Sequence, residues 1–454
     1  MTASALPTAP ASADVRPSEK AGYLAANLGN IVLSTVIGSF LLIYLTDHVG
    51  IGAAAVGTLL LVARIVDGAT DPLMGYLVDH LPRTRWGRFR TYLLLGGGVA
   101  AVSFAALFLV PGWAGGALLA AWITYLVWGI AFDLMDIPLN ALLPTMSASP
   151  RTRGRLAAIK GATYLLGTVL VIGVSLPLVS LLGGGAAGWQ VYAVVVAVVS
   201  FALTATGALL TRERVTPVHS ERYGLRDLRA LFFSSRAVPV LLVSKLATSA
   251  GNAALMAGIP FFFTYYAGSA GLVSAVALVM AAPMVIGSIG GPLIGQRVGF
   301  KPAYLASLAV AAVGIGSILL LPGLPGSVYL VCFGAAGLGF GGAVALNYAL
   351  LAELTDHVEL RGGFRTEGAL ASIGSFAAKA GAGIGGALVA YVLAVTGYVP
   401  GGEQTPLSLM GIALAQSGVP VALVLLGGLV FLAYPITRDE AARTRAALAE
   451  RNRP

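Results

Sequence analysis

Four aspartates lie where a carboxylate is costly. Asp67, Asp71, Asp133 and Asp136 sit inside runs of Val, Leu, Ile, Ala and Gly. A charge at the centre of a membrane helix costs roughly 2.5–3.5 kcal/mol on insertion scales, so each needs a partner or a task. At about 100° per residue, Arg64, Asp67, Thr70 and Asp71 fall within about 120° of one helix's circumference. Asp133, Asp136 and Asn140 form a second stripe about 60° wide. Two facing stripes make an oxygen-rich cage that can hold Na⁺, or in which one carboxylate takes a proton. The competing reading is a structural ion-pair set, Arg64 with Asp67 and Lys160 or Lys379 with the rest. Three or four carboxylates with few local cations leave a surplus of negative charge, which a movable cation would balance. Lys379 completes such a site electrostatically, binds an anionic or hydroxylated ligand, or snorkels to the interface. Lys245, nearer one face, reads as structural.

Other chemistry is sparse. The single cysteine, Cys332, allows no intramolecular disulfide and no cysteine metal cluster. The histidines, His48, His80, His219 and His357, show no metal-binding spacing. Neither a nucleophile–base pair nor a nucleotide loop stands out. The expectation is no enzyme, no cofactor, and no metal beyond Na⁺ at Asp67 and Asp71.

The elements that must hold these aspartates follow from composition. The chain has 454 residues, 57% hydrophobic and only 10% charged, against about 25% charged in soluble domains. A water-soluble enzyme is excluded, and so is a disordered chain. Unbroken apolar runs of about 20 residues fit membrane helices rather than the alternating strands of a barrel. Twelve spans are read at 24–45, 53–78, 91–110, 117–143, 156–182, 188–210, 237–265, 271–295, 301–321, 327–352, 365–397 and 407–436.

Basic residues then fix orientation. Of the 28, 24 lie in the two tails and in the loops after spans 2, 4, 6, 8 and 10. The positive-inside rule puts both termini and those loops in the cytoplasm, with the chain in the cell membrane. The net charge of +9 is thus a topology signal rather than a nucleic-acid footprint. Pro72-Leu73-Met74-Gly75 recurs as Pro292-Leu293-Ile294-Gly295, 220 residues on. The expected architecture is all-α: twelve transmembrane helices in two six-helix halves, a major facilitator fold with its ligand site between the halves. Residues 1–211 form the N-terminal half with a disordered tail, 212–236 a cytoplasmic connecting loop, 237–436 the C-terminal half, and 437–454 a cytoplasmic tail. Shifted by 220, Asp67 and Asp71 become Gly287 and Gly291, so a cation site belongs to the first half.

The segment 62–92, VARIVDGATDPLMGYLVDHLPRTRWGRFRTY, resembles the signature of the glycoside–pentoside–hexuronide cation symporters. Segment 133–160, DLMDIPLNALLPTMSASPRTRGRLAAIK, is similar to that family's second signature, and Thr355-Asp356-His357-Val358-Glu359 with Arg365 and Lys379 to a third. The resemblance implies a cation site at Asp67 and Asp71 with Lys379 beside it, and a sugar-binding aspartate at Asp136. It also implies a gating loop carrying Gly75, Asp79, Gly87 and Arg88. Departures are as informative. The family's second sugar-binding aspartate is Ile31 here, with Asn27 and Asn30 nearby. Its helix 4 aromatic is Asn140, and its helix 5 arginine is Lys160. A cation-site asparagine is Thr70, and a threonine there is Asp133. The cation machinery is kept and gains a carboxylate; the sugar site is rewritten. Trp128, Tyr164 or Phe376 could supply the aromatic face a sugar needs. Glycines 381, 383, 385 and 386 suit close helix contact.

The expected function is H⁺- or Na⁺-coupled symport of a sugar, glycoside or related polar small molecule by alternating access, carried out by a monomer. The alternative is export of a small natural product, or movement of an amphipathic lipid-like solute, on the same fold.

Overall fold

A backbone in lipid must satisfy its own hydrogen bonds, and every element among the described residues is accordingly a helix. The computed structural model describes residues 15–80, 84, 87, 89–113, 115–147, 149–214, 232, 235–320, 322–362 and 367–451; the side chains of 69–80, 113, 144, 150–151, 361–362, 367–369, 371–372, 445, 449 and 451 lie outside that description. The helices are α1 (Pro17–Ile43), α2 (Ala53–His80), α3 (Phe89–Trp113), α4 (Ala117–Met146), α5 (Pro150–Leu181) and α6 (Gly185–Leu210). After the connecting region come α7 (Ala237–Phe261), α8 (Leu272–Val298), α9 (Phe300–Leu320), α10 (Gly326–Gly362) and α11 (Glu367–Val395). Then follow α12 (Pro406–Leu432) and α13 (Arg438–Arg451).

Among the described residues, 11 helices, α1 and α3 to α12, are long and apolar enough to cross a membrane. At 28 residues α2 has the length, but it carries Arg64, Asp67 and Asp71 along its course. Starts and stops follow local chemistry. Ser149 caps α5 by accepting from the Thr152 amide at 3.4 Å, with Pro150 at the first helical position. Thr405 caps α12 the same way, accepting from the Ser408 amide at 3.1 Å ahead of Pro406. The C-terminal stretch, expected as a plain tail, forms α13. It packs on α10 through Ala441, Thr444 and Leu448.

Apolar side chains line the outside as well as the core. Val102, Leu181 and Leu320 are 72%, 83% and 80% exposed, surfaces that lipid covers and water would not tolerate. Inside, glycine sets the helix spacing. At Gly381 and Gly385 on α11, a Cβ would collide with the Leu246 and Ala250 carbonyls of α7, so those helices touch backbone to backbone.

The packing pairs repeat along the chain. In the first set α1 packs on α5 and α6, α2 on α4, and α3 on α4 and α6. In the second set α7 packs on α11 and α12, α8 on α10, and α9 on α10 and α12. Each pairing recurs six helices later. Between the sets, α2 packs on α11, α5 on α8 and α1 on α7. Both α1 and α7 end in a five-residue π turn, Tyr44–His48 and Phe262–Tyr266, a device that redirects side chains at a helix end.

The sets are tied at the end away from the basic loops. There the Asp47 carboxylate accepts from the Tyr265 and Tyr398 hydroxyls, and Thr58 on α2 lies 2.9 Å from the Tyr391 hydroxyl on α11. Nearer the basic end, Tyr164 on α5, Tyr348 on α10 and Phe376 on α11 are 53%, 70% and 45% exposed. The bundle is therefore closed at one end and open toward the other.

Candidate functional site

Helix α4 carries two carboxylates one turn apart, and each belongs to a different cluster. Asp133 is buried at 3% exposure and takes its cation from the other set of helices: Lys379 Nζ on α11 lies 3.6 Å from Asp133 Oδ1. Asp67 on α2 pairs with Arg64 one turn earlier, at 3.4 Å. Both separations exceed the 2.7–2.9 Å of a tight charge-assisted hydrogen bond, so a competing cation meets pairs that are not at their strongest.

Small residues bring this cluster together. A Cβ on Gly129 of α4 would stand 2.6 Å from Asp67 Oδ1, so the carboxylate rests against that glycine. The Phe376 ring of α11 lies over Gly68, and the Arg64 stem lies over Gly383. The Tyr125 hydroxyl, on α4, is buried and has no hydrogen-bond partner among the described residues. It is within Coulombic reach of Arg64 and Asp67. A buried hydroxyl beside a carboxylate is a ready oxygen ligand for a cation or its water.

The second cluster is a ladder across three helices. Asn30 of α1 donates to Asp136 Oδ1 at 3.1 Å, and Asn140 donates to Asp136 Oδ2 at 2.9 Å. Lys160 of α5 donates to Asn140 Oδ1. Asp136 and Lys160 are half-buried and Asn140 is exposed, so the ladder faces open space. Tyr164, one turn beyond Lys160, is within Coulombic reach of Asp136 and Tyr348. A carboxylate, an amide and an ammonium in a row offer the alternating donors and acceptors that hydroxyl groups require.

The expected residues thus separate. Asp67, Asp133 and Lys379 meet in the first cluster; Asp136, Asn140, Asn30 and Lys160 meet in the second. Lys379, left open between the cation site, the solute and the interface, pairs with Asp133. Asn27 is buried and donates to the Tyr23 carbonyl of its own helix at 2.7 Å. Trp128 is 2% exposed, stacked with Tyr125 and Phe132 at 5.7 and 5.1 Å. Neither Asn27 nor Trp128 reaches the ladder. Thr70, Asp71, Gly75, Asp79 and Arg88 lie outside the described residues. Among those described, no three His, Cys, Asp or Glu side chains form a group that could hold a metal ion.

Gly87 holds the turn before α3. Its φ of +106° is one that glycine adopts without strain, and its carbonyl accepts from Thr84 Oγ1 at 2.8 Å. Sequence reasoning missed its neighbour. Glu213, after α6, accepts from the Arg90 amide at 3.0 Å and lies where a Gly87 Cβ would be. Alongside, Glu19 accepts from Arg214 at 2.8 Å through both oxygens. The acidic residues flanking span 6 and opening span 1 were the available signal.

Comparison with known proteins fits this geometry. A family model described as MFS/sugar transport protein matches residues 22–438. The isoprimeverose transporter of Lactiplantibacillus pentosus is 30% identical over 436 residues, covering 93% of this chain and 89% of that one. The glucuronide carrier protein homolog of Escherichia coli (strain K12) is 30% identical over 445 residues, 92% of each. In fold, the chain is similar to a bacterial homolog of the human lysosomal transporter Spinster, solved inward-facing and unoccupied. The TM-score is 0.69 at 15% identity, over 94% of this chain and 98% of that one. The chain belongs to the MFS/sugar transport protein family, the multi-pass membrane carriers that include the glycoside–pentoside–hexuronide cation symporters, and is a transporter rather than an enzyme.

Proposed function

We propose that this chain couples the inward movement of a sugar or glycoside across the cell membrane to that of H⁺ or Na⁺, by alternating access between two six-helix halves, 1–211 and 237–436. The observation that carries the reading is the placement of Asp133 and Asp136 one turn apart on α4. One belongs to an ion-pair cluster spanning the halves, the other to the solute ladder, so movement of α4 affects both. The packing pairs that recur six helices later support the two-half description, and the basic loops place both termini in the cytoplasm.

The electrostatics supply the coupling. The sequence adds Asp71, on the helical stripe of Asp67, to Asp67 and Asp133, and the three outnumber Arg64 and Lys379. A bound cation neutralises the surplus and lowers the cost of closing the cluster away from water. The solute fills the ladder and favours the same closure. Binding of each then assists the other by an equal factor, as linkage requires. The closed end is the extracellular one, so the conformation described is inward-facing. The carrier works as a monomer.

The named relatives favour a saccharide cargo: one is an isoprimeverose transporter, the other a glucuronide carrier homolog. The polar ladder suits hydroxyls better than the lipid-like cargo of the export alternative. The test is uptake into vesicles carrying the purified protein under imposed Na⁺ or H⁺ gradients, with a panel of labelled pentosides, hexosides and uronides. Accumulation driven by either gradient is expected; equilibration without accumulation for every solute under both gradients overturns the reading.

A further inference from the structure

The second half presents a cation that the paired clusters do not use. Lys245 sits on α7, half-buried, and no carboxylate among the described residues pairs with it. Its ammonium lies 3.2 Å from where a Cβ on Gly374 of α11 would stand, so this glycine leaves the space the ammonium fills.

The direction Lys245 faces follows from what surrounds α7. Ser244, Thr248 and Gly251 are buried against α12, where Gly427 and Val424 meet them. Leu246 and Ala250 turn to α11 at Gly381 and Gly385. Lys245, Ser249, Asn252 and Met256 fall within about 60° of one another, in a sector between those two contacts, and all four are half-buried. The opposite open sector is apolar, with Val243 at 43% exposure. A membrane helix turns its polar sector to the interior or to a wet cavity and its apolar sector to lipid. The Lys245 stripe therefore faces the space between the halves.

Its depth matches the ladder. Lys245 is eight residues from the start of α7 at Ala237, about 12 Å at 1.5 Å per residue. Asn140 and Asp136 are six and ten residues from the end of α4 at Met146, about 9 and 15 Å from the same side of the bundle. Asp136 and Lys160 already offset one another through Asn140. Lys245, on the wall opposite Asp136, is left without a carboxylate partner among the described residues.

We propose that Lys245, with Ser249 and Asn252, is the subsite for an acidic group on the transported sugar. The inference rests on the sugar reading above. The ring hydroxyls bind the ladder, and the acid, a carboxylate or a sulfonate, binds the ammonium as a charge-assisted partner. A neutral sugar leaves Lys245 without a counter-charge and binds less well.

The experiment is counterflow exchange in vesicles carrying the full chain. The probes are methyl β-D-glucoside, methyl β-D-glucuronide, and the glucoside with a sulfonate at carbon 6. The unaltered protein is expected to exchange at least one acidic sugar about tenfold better than the glucoside, as 1.4 kcal/mol of added interaction gives. Preference for the glucuronide or for the sulfonate identifies which acid the site takes. Lys245→Gln is expected to abolish that preference by lowering exchange of the acidic sugar to the level of the glucoside, and glucoside exchange by the same variant reports that it is folded. Lys245→Arg keeps the preference. Equal exchange of neutral and acidic sugars by the unaltered protein, or a preference that survives Lys245→Gln, overturns the subsite and leaves the sugar reading intact. Exchange of none of the three sinks the sugar reading and the subsite with it.

Discussion

The Tyr398 hydroxyl lies 2.7 Å from each carboxylate oxygen of Asp47. The two residues are 351 positions apart in the chain and belong to the two different sets of packed helices, so this contact is a latch. Tyr265 adds a second phenol to the same carboxylate, and its ring meets that of Tyr398 edge to face at 5.4 Å. Opening the end away from the basic loops must break these bonds. Hydrogen bonds to a charged group are worth about 1.5–3 kcal/mol. Tyr398→Phe, or Asp47→Asn, is therefore expected to shift the population toward the outward-open state by about tenfold or more. A reporter cysteine at Ala387, buried where α11 meets Gly57 of α2, is checked with an impermeant maleimide in a Cys332→Ala background. Labelling as slow as in the unaltered protein would mean that the latch does not hold this end shut.

The same latch has a pH signature. Burial first, and then the Asp47 charge, raise the Tyr398 phenol well above its ordinary value. The latched state therefore holds its proton where a released phenol loses it. Normalised at each pH to labelling of the unfolded protein, which cancels the thiol's own titration, accessibility at Ala387→Cys is expected to stay flat from neutral pH to about 10 and to rise above it, because the open state binds fewer protons. Tyr398→Phe should remove the rise.

Asp67 tests the proposed coupling. Asp67→Asn leaves Arg64 without its charge partner and removes one carboxylate from the surplus that a cation balances. Concentrative uptake is expected to vanish while solute exchange persists. Tyr125→Phe is a subtler probe. It removes a buried hydroxyl that has no hydrogen-bond partner among the described residues, so folding should lose nothing, since an unpaired buried hydroxyl itself costs about 1–3 kcal/mol. The half-saturating concentration of the coupling ion should rise several-fold. An unchanged ion dependence would take Tyr125 out of the cation site.

Asp136 tests the ladder separately. With Asp136→Ala, Asn30 and Asn140 lose their common acceptor and Lys160 its indirect counter-charge. The half-saturating solute concentration should rise by about tenfold or more, as expected for losing charge-assisted bonds of about 1.5–3 kcal/mol, with little change in ion dependence. Equal losses in both would merge the two clusters into one site.

What could be read from the sequence followed the reach of its regularities. Apolar runs locate helices because lipid demands length, and helix periodicity put Asp133, Asp136 and Asn140 on one stripe. A helical wheel, however, fixes a face and not the neighbour it meets. It could not reveal that Asp136 receives Asn30 while Asp133 receives Lys379, because those partners are 106 and 246 positions away. Trp128 looked like a sugar platform because its ring type suits one, yet it is on the packed side of α4. The Asp47 latch carried no local signal. It depends on two π turns at equivalent helix ends, which bring Asp47 of one set of helices to Tyr265 of the other.

Gly129 tests whether the cation site needs its close packing. A Cβ there would be 2.6 Å from Asp67 Oδ1, nearer than non-bonded atoms tolerate, and the carboxylate ends a short side chain with few other positions. Alanine favours the helix by up to about 1 kcal/mol over glycine, so Gly129→Ala should leave α4 intact. The displaced Asp67 carboxylate must then change its contact with Arg64 and its distance from Tyr125. The half-saturating ion concentration is expected to rise by about tenfold, the equivalent of 1.4 kcal/mol, with solute exchange at saturating ion nearly unchanged. Gly161, with open space around it on the neighbouring α5, is the control: Gly161→Ala should leave both quantities where they were. If Gly129→Ala behaves like that control, Asp67 does not bind the coupling ion in the position described.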